Sequence, residues 1–322
     1  MPIQSIEGFP PSGDSHHWAD YAELLCLVNI DGTLSEADLI SRWQKRKGMG
    51  GEPIAEDDDE ALEPPARSDR ISALAADVYR QLEYRAGLFG PAYPFRVREM
   101  EYMDRVDDIS SLQKIYLFLL LASSLRCLDR RGRTAVTVSF ERLCQCAIAA
   151  WLPSRARVRL FGTGGKGEAG EYEGTLYQRL VKLAGDLSEE LIAKESDFRA
   201  GDYGDGGIDI AAWVPFMDWL PSQLILLAQA TCENDWTHKQ HEAGQAKISS
   251  RFRFVAPHTT ALCIPYCFRS PSGEWFKQND IHQTVLLDRF RILSLMPDAE
   301  LPLSLLPAAE LDSALEYREA PV

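Results

Sequence analysis

The stretch from Gly204 to Lys239 reads GDGGIDIAAWVPFMDWLPSQLILLAQATCENDWTHK and holds the residue types that hydrolysis at a hard metal ion requires. Asp205-Gly206-Gly207 reads as a tight turn that opens a strand, and Asp209 sits where that strand begins. Strand periodicity sends Ile208 and Ile210 to one face and Asp209 to the other. A carboxylate there needs solvent or a cation. The apolar run from Leu224 to Ala228 reads as a buried strand that ends in Gln229-Ala230-Thr231, with Gln229 and Thr231 on one face. Paired as an antiparallel hairpin, the two strands bring Asp209 beside Gln229. A carboxylate, an amide oxygen and a hydroxyl then share a small space, a hard-oxygen set suited to Mg²⁺ or Mn²⁺. Asp205 reads as a turn residue bonded to its own backbone.

The elements that must carry this pair divide in two. In the first 150 residues helical periodicity dominates: Trp18–Ile30, a short helix from Ser35, Arg70–Gly87 capped by Ser68 or Asp69, Ser110–Cys127 and Phe140–Trp151. The stretch 134–139, TAVTVS, is β-branched and could form a short strand. An acidic, Gly- and Pro-bearing linker runs over about 47–69. Gly162, Gly164, Gly165, Gly167 and Gly170 form a hinge. Beyond it a helix over about Thr175–Ala193 precedes apolar runs at Ile208–Val214, Leu224–Thr231, Ala261–Phe268 and Val285–Leu287. A helix followed by several strands marks an α+β chain: a helical domain over 1–150, then a sheet-bearing domain over 151–322.

Composition narrows the partners. The 322 residues carry 34 Lys and Arg against 48 Asp and Glu, a net charge of −14. Whole-molecule attraction to nucleic acid or an anionic membrane is excluded, so any DNA contact needs a local basic patch, a metal or a basic partner. Three basic groups occur. Arg126, Arg130, Arg131 and Arg133 read as solvated surface. Arg155, Arg157 and Arg159 alternate as on one strand face. Lys247, Arg251 and Arg253 follow the candidate site and are best placed for phosphates. No export signal is read at the N-terminus, and Ile115–Ser123 is too short to span a bilayer and reads as a buried helix. Seven cysteines, an odd count, fit free thiols in the cytoplasm. Cys232, Glu233, His238 and His241 could form a zinc cluster, against which Asn234-Asp235-Trp236 reads as a turn.

Gly206-Gly207-Ile208-Asp209 followed by Gln229-Ala230-Thr231 resembles the PD-(D/E)XK nuclease superfamily, nearest its Mrr-type restriction enzymes and the Holliday-junction resolvases of the same fold. The resemblance covers roughly residues 170–250. It implies a restriction-endonuclease-like domain with a central mixed sheet and Mg²⁺-dependent hydrolysis of DNA phosphodiesters. It implies a prokaryotic restriction or anti-phage defence context, with a protein partner such as an ATPase or another defence subunit. Asp209 takes the metal-aspartate position and Gln229 that of the second ligand. An acid on the helix before the aspartate strand is also implied. Glu173 is the first candidate for it, then Glu171, then Glu189 or Glu190. The family's lysine is replaced by Thr231, which leaves Lys239 as the displaced lysine and Thr231 as a candidate nucleic-acid contact with Lys247, Arg251 and Arg253. A site without that lysine also fits a catalytically degenerate scaffold that binds DNA or protein.

Overall fold

The computed structural model describes residues 3, 6, 10, 14–45, 64–161, 171–199, 201, 202, 204–296 and 303–318. It is an α+β chain with helices towards the N-terminus and a mixed five-stranded sheet later. Two compact units result, and they are not consecutive halves. The first takes in 1–136, 266–278 and 306–322, the second 137–265 and 279–305. The division therefore falls at 136/137 rather than at 150/151, and two later segments return to the first unit.

The first unit is built on α1 (Ser15–Val28), α2 (Glu36–Lys45), α3 (Pro64–Phe89), α4 (Ser111–Ala122) and α9 (Ala308–Glu316). A small antiparallel sheet of β1 (Thr33–Ser35), β2 (Phe95–Arg98) and β3 (Tyr102–Arg105) joins them, in the order β1-β3-β2. Helix α3 begins at Pro64, inside the expected linker, because prolines are tolerated in a first turn whose N–H groups lack helical partners. Ser68 and Asp69 are thus within the helix rather than caps. The rest of the linker and the glycine hinge lie outside the described residues. Helix α1 is buried from His16 to Val28. Its Asp20 and Glu23 are answered by the Arg85 guanidinium at 2.7 and 2.8 Å, and the Tyr93 and Tyr116 hydroxyls donate to Glu23. Ser110 caps α4 with a reciprocal capping box to Gln113, which places Ile115–Ala122 in the core as expected. Among the described residues no helix is long and apolar enough to cross a membrane.

Helix α5 (Arg130–Trp151) carries the division between the units and absorbs residues 134–139. The expected strand there does not form: Val136, Phe140, Leu143, Cys144, Ala147 and Ile148 are buried at i, i+4, i+7, i+8, i+11 and i+12, so the helical stripe overrides β propensity.

The second unit is organised by β4 (Arg157–Leu160), β6 (Ile210–Val214), β7 (Leu224–Ala230), β9 (Thr259–Cys263) and β10 (Val285–Leu287), in the order β10-β9-β7-β6-β4. Strands β4, β6 and β7 form an antiparallel meander, and β9 and β10 add in parallel. β5 (Glu190–Leu191) and β8 (Phe252–Arg253) make a separate two-stranded pair. Helix α6 (Leu176–Leu187), capped by Thr175 and Gln178, lays Leu176, Leu180, Leu183 and Leu187 on one sheet face against Ala211, Trp213, Ile225 and Leu227. On the other face the Cys144 thiol of α5 meets Cys263 of β9. Short helices α7 (Gln245–Ile248) and α8 (Arg289–Ser294) complete the unit, the latter capped by Asp288.

Candidate metal-binding site at the bulged start of a central strand

The Gly-Gly turn has a steric cause. Gly206 and Gly207 have φ of +65° and +88°. A Cβ on Gly207 would lie 2.5 Å from the Glu242 carbonyl oxygen, so only glycine fits. Asp205 Oδ1 accepts the Gly207 N–H at 2.6 Å, the turn role expected of it. Arg251 donates to the Gly206 carbonyl and Arg179 to the Gly204 carbonyl, which clamps the turn from both sides.

The turn delivers Asp209 into a β-bulge. Asp209 and Ile210 both oppose Ala228: Ile210 by sheet register, Asp209 by its N–H to the Ala228 carbonyl at 3.0 Å. The alternation expected across this stretch is broken here. Ile208 packs with Ala211 and Trp213 in the α6 cluster while Ile210 does not, so Ile208 and Ile210 do not share a face. A bulge re-aims a side chain, and the one re-aimed is Asp209.

The antiparallel hairpin of β6 and β7 then sets Asp209 beside Gln229, as expected. Asp209 is 4 % exposed. Its Oδ2 accepts the Ala230 N–H at 2.8 Å, and the Gln229 side chain hydrogen-bonds its carboxyl. Burial, with the Asp205 charge, pushes Asp209 up from 3.8 to about 7, against the pull of Ala230, Gln229 and Lys239. The Gln229 Oε1, on a side chain 7 % exposed, has no hydrogen-bond partner. An orphaned amide oxygen in a buried site costs about 1–3 kcal/mol.

The second carboxyl at this site is Glu141, on α5. Burial comes first among the causes, then the charges of Asp209 and Asp205, and together they raise it from 4.5 to about 8. Sequence reasoning passed over it because it lies 68 positions before Asp209, within a helix read only for its apolar face. Its one local signal was an acid on the α5 surface next to a buried stripe. Glu173 is exposed before α6, its carbonyl holding Lys182 at 3.1 Å. Glu171 pairs with Arg159 at 3.3 Å. Glu189 accepts the Ser222 and Val255 N–H groups, and Glu190 pairs with Arg253 at 2.7 Å.

Lys239 lies in the 3-10 turn Trp236–His241 rather than in an α-helix. Its charge reaches Asp209, but its Nζ is held by Glu233 at 3.1 Å. Thr231 is buried, and its hydroxyl accepts the Glu233 N–H at 3.1 Å. Of the expected phosphate contacts, Lys247 pairs with Glu242, Arg251 clamps the turn and Arg253 pairs with Glu190, so each already serves the chain itself. The expected zinc group does not assemble: His238 pairs with Glu233 and Asp235, and among the described residues Cys232, Glu233, His238 and His241 form no group of three within ligand reach.

The buried Asp209 carboxyl, the half-buried Glu141 carboxyl that feels its charge and the unpartnered Gln229 Oε1 are all hard oxygen donors. Mg²⁺ or Mn²⁺ suits that donor set. No family model, curated protein or solved structure matches the chain.

Proposed function

We propose that the second unit is a PD-(D/E)XK-type nuclease unit that hydrolyses phosphodiester bonds in DNA with Mg²⁺ or Mn²⁺. The observation that carries this reading is the buried Asp209 carboxyl hydrogen-bonded to Gln229, whose Oε1 is unpartnered, with the half-buried Glu141 carboxyl feeling the Asp209 charge. Asp209 and Glu141 would hold the ion and Gln229 Oε1 would complete the protein donors. Glu141 fills the role of the helical acid for which the sequence offered Glu173. The bound ion supplies an activated water and offsets charge on the phosphate. Asp209 is kept in place by the Ala230 N–H, and the clamped Gly-Gly turn fixes where its strand begins. Lys239, released from Glu233, would place a positive charge towards the reacting phosphate, the task of the family's lysine.

A net charge of −14, with Lys247, Arg251 and Arg253 already paired, favours a chain that meets DNA through a partner. An ATPase or another subunit of a cytoplasmic prokaryotic restriction or anti-phage system fits that need. The competing reading is a degenerate site that serves as a DNA- or protein-binding scaffold. It is favoured by Thr231 in the lysine position and by the hold of Glu233 on Lys239.

The test incubates the full chain with supercoiled, linear and single-stranded DNA in Mg²⁺, Mn²⁺ or EDTA, beside Asp209→Asn and Glu141→Gln. Metal-dependent cleavage lost in both variants supports the nuclease. Metal binding without cleavage supports the scaffold, and no metal binding at all removes both versions of the site.

A further inference from the structure

We propose that Asp14, His16 and His17, at the start of α1 in the first unit, form a second metal site, for a borderline divalent ion of the Zn²⁺ class. The proposal does not depend on the nuclease reading, since it concerns other residues in the other unit.

Two observations carry it. One ligand atom from each of the three side chains lies within 4.8 Å of the other two, and among the described residues this is the sole such trio of His, Cys, Asp and Glu. Independently, His16 is 2 % exposed and neither its Nδ1 nor its Nε2 has a hydrogen-bond partner. A neutral imidazole carries one N–H and one lone pair, and buried polar atoms almost always find partners. A buried ring with both nitrogens unpartnered has a lone pair available to a metal.

The surroundings fit a metal better than a packed core. The His16 and His17 ring centres are 4.1 Å apart, with Phe276 4.6 Å and Phe268 5.4 Å from His16 and Tyr266 5.0 Å from His17. These rings make a dry wall. Asp14 sits in the N-cap position of α1, yet its side chain makes no capping bond. Its Oδ1 pairs instead with Lys277 at 3.2 Å, an exposed cation that a divalent ion can displace. The nearer buried charge, Arg85, is already offset by Asp20 and Glu23.

Donor chemistry selects the metal. Two imidazole nitrogens and one carboxylate suit Zn²⁺ and its neighbours, not Mg²⁺. Around a tetrahedral zinc, with bonds of about 2.0–2.1 Å, ligand atoms stand roughly 3.3 Å apart. The ligand atoms of the trio, within 4.8 Å of one another, stand close to that spacing. Three protein ligands leave a fourth position for water.

The test uses the full chain stripped with EDTA and titrated with Co²⁺, then Zn²⁺. The expected result is one equivalent of Co²⁺ with visible d–d bands and no thiolate charge-transfer band, displaced by Zn²⁺, and a zinc-dependent rise in Tm. Asp14→Asn and His17→Gln should each weaken Co²⁺ binding at least about tenfold. Asp14 is partly exposed, so its variant keeps the fold and its circular dichroism confirms this. In an Asp209→Asn background, which removes any ion held in the second unit, the equivalent lost in Asp14→Asn should remain. Absence of stoichiometric binding, a thiolate signature, or equal affinity in the folded Asp14→Asn chain would overturn the proposal.

Discussion

Replacement of Asp209 by Asn should stabilise the metal-free protein, and by an amount that depends on pH. The carboxyl is buried and moved from 3.8 to about 7. At ~1.4 kcal/mol per tenfold change in proton affinity, folding disfavours its ionised form by about 4 kcal/mol. The sign follows from linkage. A carboxyl raised in the folded state imposes no penalty below its unfolded value near 4, where both states hold the proton. As pH rises towards 7 the unfolded chain releases that proton and the folded chain keeps it, so stability falls. Above about 7 both states are ionised and the penalty is constant. Asparagine never ionises, and its amide oxygen can still accept the Ala230 N–H. The stability gap between Asp209→Asn and the unaltered chain should therefore be small at pH 4, widen between pH 4 and 7, and level off near pH 8. Its ceiling is about 4 kcal/mol, the value at which the whole burial penalty is recovered. Urea unfolding in EDTA at pH 4–9, followed by tryptophan fluorescence, reads the gap directly. If Asp209 holds Mg²⁺ as proposed, added Mg²⁺ should narrow it, because the ion would offset the charge that burial penalises. A gap that is flat across the series, or one that shrinks as pH rises, refutes the reasoning.

Other substitutions probe separate parts of the argument. If the second unit holds an ion as proposed, Glu141→Gln should abolish Mn²⁺ binding measured by calorimetry while Glu173→Gln leaves it intact, because the Asp209 charge acts on Glu141. Gly207→Ala should destabilise by about 2 kcal/mol or more, since φ of +88° is strained for alanine and its methyl meets the Glu242 carbonyl; denaturant melts would read the loss. Arg85→Met leaves Asp20 and Glu23 buried without their cation and should cost about 3–5 kcal/mol, visible as a lowered Tm or loss of soluble protein. If the second unit cleaves DNA, Lys239→Ala should lower kcat by about 100-fold, while Glu233→Ala, which frees Lys239, preserves or raises it in a plasmid-nicking assay.

What the sequence by itself determined is local. The turn at Gly206-Gly207, the two strands after it and their hairpin follow from glycine chemistry and from apolar runs of strand length, and Asp209 beside Gln229 follows from the hairpin. Helices α4 and α6 announce themselves through Ser110 with Gln113 and Thr175 with Gln178, because a capping box lies within four residues. Tertiary structure decided whatever depends on distant partners. β propensity at 134–139 yields to the packed stripe of α5, and the same helix carries Glu141 towards Asp209. The bulge at Asp209 exists only through its pairing with Ala228, so strand alternation read from one chain segment aims Ile208 wrongly. His16 and His17 are an ordinary pair in the sequence. They become candidate ligands only once Tyr266, Phe268 and Phe276, some 250 positions away, pack against them and leave both His16 nitrogens without a partner. Short-range sterics and hydrogen bonds are written in neighbouring residues, whereas desolvation and electrostatic fields depend on what the whole fold brings near.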